Sequence, residues 1–407
     1  MEVVSTKCSA INWLPVSEGT RRWVARLALV VLAVSAPVGS ATLGLVVLLL
    51  SVPFLYSEAK LAGGMRSSRA FGILTGPVVA LIAAGLLSTV FSTDKLHALG
   101  HVVGMALMAL TCLLSARIAV RERHFFLNIA IPLALVATVI SAALGLYQHF
   151  ALGVSRATAL LGYTNRLGTL LAFFGVLGVG FLLYRGGRVG WLLFPFGLLV
   201  LGGIGATMSR AGWVAVAVGI ILLGLRADRR FIAACLVLAM LFAVGLLLEE
   251  RWAPRFSTIF SLEENQDRIT LWKAALGIFR DHPLLGSGPG SFLYVSDNYI
   301  DAPRHRSHAT PHNIVLSIAS DMGALGLLAF GWLMTGVAKA AWYLWRLRHP
   351  FYTGLVAAVA SIFVNDLFAQ GFYTTQIGTV MWFGLGLLAA FYEMEKDLAV
   401  APTVDAS

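Results

Sequence analysis

The 407 residues are 58% hydrophobic and only 12% charged, too apolar for a soluble fold of this length. The formal charge is +10, but most Lys and Arg sit in short breaks between apolar runs, as in cytoplasmic loops, and this argues against a nucleic-acid surface. Cys8, Cys112 and Cys235 have no paired spacing that would indicate a disulfide framework or a metal site.

Several apolar runs reach the roughly 20 residues that cross a bilayer as helix. They are rich in Leu, Val, Ala and Gly without period-two alternation, which favours helices over a membrane barrel. The expected class is an all-α polytopic membrane protein, a single integral-membrane domain over 1–407. Polar breaks mark about twelve spans, near 24–38, 41–56, 72–91, 98–116, 126–147, 167–184, 189–207, 211–225, 231–248, 313–336, 352–370 and 377–392. The first apolar run begins only after Arg26 and a second follows almost at once, so insertion is expected through the first spans and without a cleaved signal. With the N-terminus in the cytoplasm, the alternation puts Lys7, Arg21, Arg22, Arg26, Lys60, Arg66, Arg69, Arg117, Arg121, Arg123, Arg185, Arg188, Arg226, Arg229, Arg230, Lys339, Arg346, Arg348 and Lys396 inside. Both termini are then cytoplasmic.

Trp191 to Leu225 would measure roughly 50 Å as one helix, too long for a hydrocarbon core of about 30 Å. Two short spans meeting near Ser209 and Arg210 are expected, with the turn facing outward. An arginine there either snorkels to headgroups or faces a polar cavity or an anion.

The segment 249–311 is the one long stretch between spans and falls on the outer face. Within it, DRITLWKAALGIF places Ile269, Trp272, Leu276 and Phe279 on one helical stripe, as expected of an interfacial amphipathic helix. Arg268 at its start is either an ordinary exposed charge beside Asp267 or a bidentate phosphate ligand. HPLLGSGPGSF follows as a tight turn whose glycines fit neither dinucleotide nor P-loop spacing.

TPHNIVLSIASDMGALG opens the tenth span. Thr310 as N-cap and Pro311 at N1 would place His312 in the first turn. There the helix dipole disfavours imidazolium, as a general base near neutral pH requires. At 100° per residue, Ala319, Gly323 and Gly326 lie below His312 as a small-residue stripe where another helix can pack, and Asp321 lies opposite. From these residues alone, a capping histidine and a catalytic one stand level.

The spacing His-Asn, nine residues, Gly, two residues, Gly resembles the signature of bacterial O-antigen ligases and the related O-antigen polymerases. SRAGW and DRITLWKAALGIFRDHPLLGSGPGSF are similar to that family's other recurrent blocks. The resemblance implies a metal- and cofactor-independent, inverting glycosyltransferase of the GT-C type at the periplasmic face of the inner membrane. It would move O-antigen from undecaprenyl diphosphate to the lipid A-core oligosaccharide. His312 matches the family's essential histidine, proposed to deprotonate the acceptor, and Arg210 and Arg268 match arginines that engage the donor diphosphate. Asn313 beside the histidine is a further substrate-binding candidate, and Gly323 and Gly326 are structural.

O-antigen polymerase uses the same kind of donor, and a protein O-oligosaccharyltransferase shares the histidine region. A lipid or sugar transporter matches the span count, but its polar groups gather near the midplane, whereas here Asp366 is the main such group.

Overall fold

A computed structural model describes residues 18–38, 72–226, 228–261, 265–300, 310–369, 371–372 and 375–400. Helices dominate, and no strand occurs among the described residues. The principal helices are α1 (Glu18–Val38), α2 (Gly72–Thr89), α3 (Lys95–Arg121), α4 (Arg123–Phe150), α5 (Thr164–Arg185), α6 (Leu193–Thr207) and α7 (Arg210–Gly224). They continue with α8 (Arg229–Leu248), the short α9 (Trp252–Ser257), α10 (Gln266–Asp281), α11 (Ile314–Arg346), α12 (Pro350–Asp366) and α13 (Thr375–Val400).

Among the described residues, six helical stretches are long and apolar enough to cross a membrane: Gly72–Thr89, Arg123–Phe150, Thr164–Arg185, Gly187–Thr207, Ile314–Arg346 and Ile377–Val400. The chain is a multi-pass membrane protein. Shorter apolar helices occupy Lys95–Leu110, Arg210–Gly224 and Phe231–Gly245. The other stretches expected as spans fall on helices to within a few residues, except 41–56, which lies outside the described residues.

Helix α5 runs through the centre, and Leu167 to Leu182 is buried throughout. It can be central because its small residues admit backbones. A Cβ on Gly180 would lie 2.3 Å from the Gly354 Cα of α12, and one on Gly212 would lie 3.2 Å from the Gly168 Cα. Such close approaches replace the hydrophobic drive that helices in lipid lack. They also fix direction. Gly168 meets Gly212 and Val176 meets Gly219, so α5 and α7 are parallel. Gly180 meets Gly354 while Thr169 donates to the Asn365 side chain (2.9 Å), so α12 is antiparallel to α5. The first turns of α5 and α7 and the last turn of α12 therefore share one end of the bundle.

Basic residues gather at the other end, where Arg226 lies over the Trp345 ring (5.0 Å) and Arg185 donates to Asn128 (2.6 Å).

The long stretch 191–225 does divide where its length demands. Helix α6 ends at Thr207, Met208 takes a left-handed conformation (φ 56°), and Ser209 caps α7 by accepting from the Gly212 amide (3.3 Å). Helix α10 is amphipathic, but its buried face is Leu271, Ala274, Ala275 and Ile278, packed on Phe292 and Leu316. The stripe expected from the sequence lies on another side, with Leu276 53% exposed. The alanines win because they let the helix backbone approach its neighbours.

Gly354→Leu forces side-chain atoms into the α5 backbone. Overpacking of this kind costs about 1–3 kcal/mol, and a lowered unfolding temperature of the purified protein in detergent is the expected result.

Candidate active site

The histidine segment does not begin its helix as the proline suggested. Helix α11 starts at Ile314, and its N-cap is Asn313, whose carboxamide oxygen accepts from the amides of Val315 (3.0 Å) and Leu316 (3.1 Å). His312 precedes the cap in a left-handed conformation (φ 51°) and is half-buried. Thr310 and Pro311 are thus outside the helix. A side-chain oxygen that satisfies two first-turn amides outweighs the preset φ of a proline. The Asn313 amide also donates to the Leu367 carbonyl (3.1 Å), tying the histidine segment to the end of α12.

Arg210 and Arg268 come together, and two further arginines join them. Arg210 is the first residue of α7 and donates to the Thr258 carbonyl (2.6 Å). Arg255, on α9, reaches back to the Met208 carbonyl (3.4 Å). These reciprocal bonds clamp the α6–α7 turn against residues 255–258. Asn265, at the head of α10, donates to the carbonyls of Ser261 (2.7 Å) and Ile259 (3.3 Å). Arg268 lies about one helical turn beyond it. Burial and the charges of Arg210, Arg255 and Arg156 pull the Arg268 guanidinium down to about 10. Arg156 is lowered in the same way, first by burial and then by Arg255 and Arg210.

Helix α10 links this cluster to the histidine. Trp272, one turn after Arg268 and on the same side, donates from its indole to the Pro311 carbonyl (3.0 Å), the residue before His312. Arg210 and Arg268 therefore face one electrostatic cluster, and His312 is tied to it through a single helix.

The position of α10 depends in turn on a break in α11. Gly323 is non-helical within the helix (φ 62°, ψ −156°). The glycine-rich turn after α10 enters there: Ser287 and Gly288 amides donate to the carbonyls of Ser320 (2.9 Å) and Asp321 (3.0 Å), while Ala324 and Leu325 amides donate to Pro283 (2.8 Å) and Leu284 (3.2 Å). A Cβ at Gly323 would lie 2.5 Å from the Leu284 carbonyl carbon, and one at Gly286 would lie 2.4 Å from that of Asp321. Gly323 and Gly326 are therefore not a stripe for a neighbouring helix. The expectation assumed one straight helix; Gly323 instead admits the turn, and a Cβ on Gly326 would meet Met322 of its own helix at 2.3 Å. Asp321 is buried at the break, where its Oδ2 accepts from the Gly290 amide (3.2 Å). Asp366 is fully buried beside Gly371, which closes the end of α12.

Residues 195–331 match the family model described as O-antigen ligase. This segment is similar to O-antigen ligase family domains. It runs from α6 through the arginine turn, α9, α10 and the broken upper half of α11, which includes Arg210, Arg255, Arg268 and His312. No curated protein matches the chain.

Arg156 lies outside the matched segment, and neither it nor Arg255 carries a motif that marks it in the sequence. The available signal was topological. The span alternation leaves Arg156, like Arg210, away from the basic end.

Arg268 is charged below about 10, so at neutral pH it is repelled by three neighbouring guanidinium groups. Arg268→Gln removes that repulsion, and the unfolding temperature of the ligand-free protein at neutral pH is expected to rise. The gain should hold up to about pH 10 and shrink only above it, as wild-type Arg268 loses its own proton in the folded state. Gly323→Ala, strained by its φ and blocked by the Leu284 backbone, should lower the unfolding temperature.

Proposed function

We propose that the protein is an O-antigen ligase, transferring preassembled O-antigen from undecaprenyl diphosphate to the lipid A-core oligosaccharide. The observation that carries this reading is the approach of Arg210 and Arg268 within the segment similar to O-antigen ligase domains, with His312 tied to them through Trp272.

The chemistry follows from those groups. The acceptor hydroxyl oxygen attacks the anomeric carbon, and the bond from that carbon to the diphosphate oxygen breaks. The electron pair leaves with the diphosphate, while the hydroxyl proton passes to His312. Attack opposite the leaving group inverts the anomeric centre. Arg210 and Arg268 stabilise charge that grows on the diphosphate as the bond breaks, and fixed cations in a partly buried site do so with little reorganisation. The Asn313 oxygen is held by its cap, so its remaining N–H is the part that can meet substrate.

The orientation accords with the same reading. The end opposite the site carries Arg185, Arg226 and Arg346 at helix ends, the distribution that marks a cytoplasmic face. The site then opens to the periplasm of an inner-membrane enzyme of the GT-C type. It has about twelve spans across a single domain, cytoplasmic termini and a periplasmic segment at 249–311. O-antigen polymerase is the second reading, because the family match spans both kinds of activity and a polymerase draws on the same donor.

His312→Ala is expected to abolish glycan transfer in reconstituted membranes while leaving the unfolding temperature within a few degrees of wild type. Full transfer by that variant overturns the general-base role. Given core lipid A and a second lipid-linked glycan as alternative acceptors, the protein should glycosylate only the former; elongation of the latter makes it a polymerase.

A further inference from the structure

The histidine and two arginines leave two cations of the cluster unused, Arg156 and Arg255. Arg156 stands in the turn between α4 and α5, and its position is closely fixed. The next residue, Ala157, donates its amide to the Ala206 carbonyl at the end of α6 (2.9 Å). Thr158 and Ala159 amides both donate to the Gln148 side chain, at 2.9 and 2.8 Å. Buried His149 clamps the same turn to α9: its Nδ1 meets the Val154 carbonyl (3.0 Å), and its Nε2 accepts from the Trp252 indole (3.0 Å). Those two bonds put the ring proton on Nδ1. Val154 is two residues from Arg156, and Trp252 is three from Arg255, so one imidazole holds the segments that carry both arginines.

The head group these anchors present is poorly satisfied within the protein. The Arg156 Nε is buried and has no hydrogen-bond partner, and its Nη2 makes a long contact (3.4 Å) with Asn165 in the first turn of α5. The charges of Arg210 and Arg255 repel it, and it faces Arg268 as well. A fold that invests four anchoring bonds to hold a guanidinium against like charges, with a donor left over, is arranged for an anion that arrives later.

We propose that Arg156, with Arg255, completes a four-guanidinium pocket for a diphosphate group, with Arg156 supplying its buried donor. The pocket deepens the role proposed for Arg210 and Arg268 and rests on that reading. Two phosphates offer oxygens enough to engage guanidinium forks from four chain segments, more than a single phosphate presents. The released lipid diphosphate carries one more negative charge than the glycosyl diphosphate it comes from, so four fixed cations favour the leaving group over the bound donor. Arg156 acts on the phosphate oxygens, and it contributes to the chemical step by holding the charge that the breaking bond deposits there.

The test uses the full chain in detergent, with inorganic pyrophosphate and orthophosphate as probes and calorimetric titration as the readout. Wild type should bind pyrophosphate at least about ten-fold more tightly than orthophosphate. Arg156→Gln should weaken pyrophosphate binding by about ten-fold or more, the usual effect of losing a charged hydrogen-bonding partner. It should also raise the unfolding temperature of the ligand-free protein. Arg156→Lys should fall between the two, since it keeps the charge and loses the fork. Wild-type pyrophosphate affinity in Arg156→Gln, or equal binding of the two anions by wild type, overturns the pocket. If Arg156→Gln does not fold, Arg255→Gln and Arg156→Lys carry the same comparison. The readout needs no glycan transfer. Loss of pyrophosphate binding in the variant upholds the pocket even if no O-antigen donor is turned over; unchanged binding alongside normal transfer removes the pocket and leaves the ligase reading intact.

Discussion

The pairing of a glycine-rich turn with a broken helix is the constraint from which the site follows. At Gly323 the amides and carbonyls that an unbroken helix would pair internally are instead shared with residues 283–288. Ser88 on α2 adds its hydroxyl to the Leu285 and Asp321 carbonyls at the same place. Backbone polar groups inside a membrane protein must find partners, and here that requirement locks the end of α10 into α11. With α10 fixed at one end by this pairing and at the other by the Asn265 bonds, Arg268 and Trp272 have little choice of position.

Electrostatics works against the fold at the same end. Four arginines are gathered near the first turns of α5 and α7, where helix dipoles already favour negative charge. The protein offsets part of this cost with neutral carbonyls, those of Thr258 and Met208, and with the Asn165 side chain. Carbonyl dipoles stabilise a cation without cancelling it, so the field remains available to an incoming anion. A carboxylate in the same position would neutralise it.

Much of the architecture was legible because it depends on length and polarity. The division of 191–225 followed from the width of a bilayer, and Arg210 and Arg268 were visible as charges where apolar runs end. What the sequence hid was local competition and distant convergence. Thr310 and Pro311 look like a helix start, but Asn313 caps better from two residues on. The apolar stripe of α10 drew the eye to Trp272 and Leu276, while the tightly packed face uses alanines, whose burial no hydropathy pattern announces. Arg156 and Arg255 are about a hundred residues apart in sequence, and their segments are joined through His149 and its two hydrogen bonds and through the end of α6. Periodicity has no access to such a relation.

The break at Gly323 also divides α11 into two pieces that need not keep the same angular phase. In a continuous helix, inserting or deleting one residue turns everything beyond it by 100°. Here the upper piece takes its orientation from the Asn313 cap, the Leu367 carbonyl and the glycine turn, and the lower piece from the helices it packs against. A change of length below the break would swing the lower span against its neighbours and leave the bearing of His312 as it was. A register change in the membrane-spanning part of this helix is thus borne by its packing on α2, where a Cβ on Gly336 would lie 3.0 Å from the Ile73 carbonyl oxygen, and not by the end that carries His312.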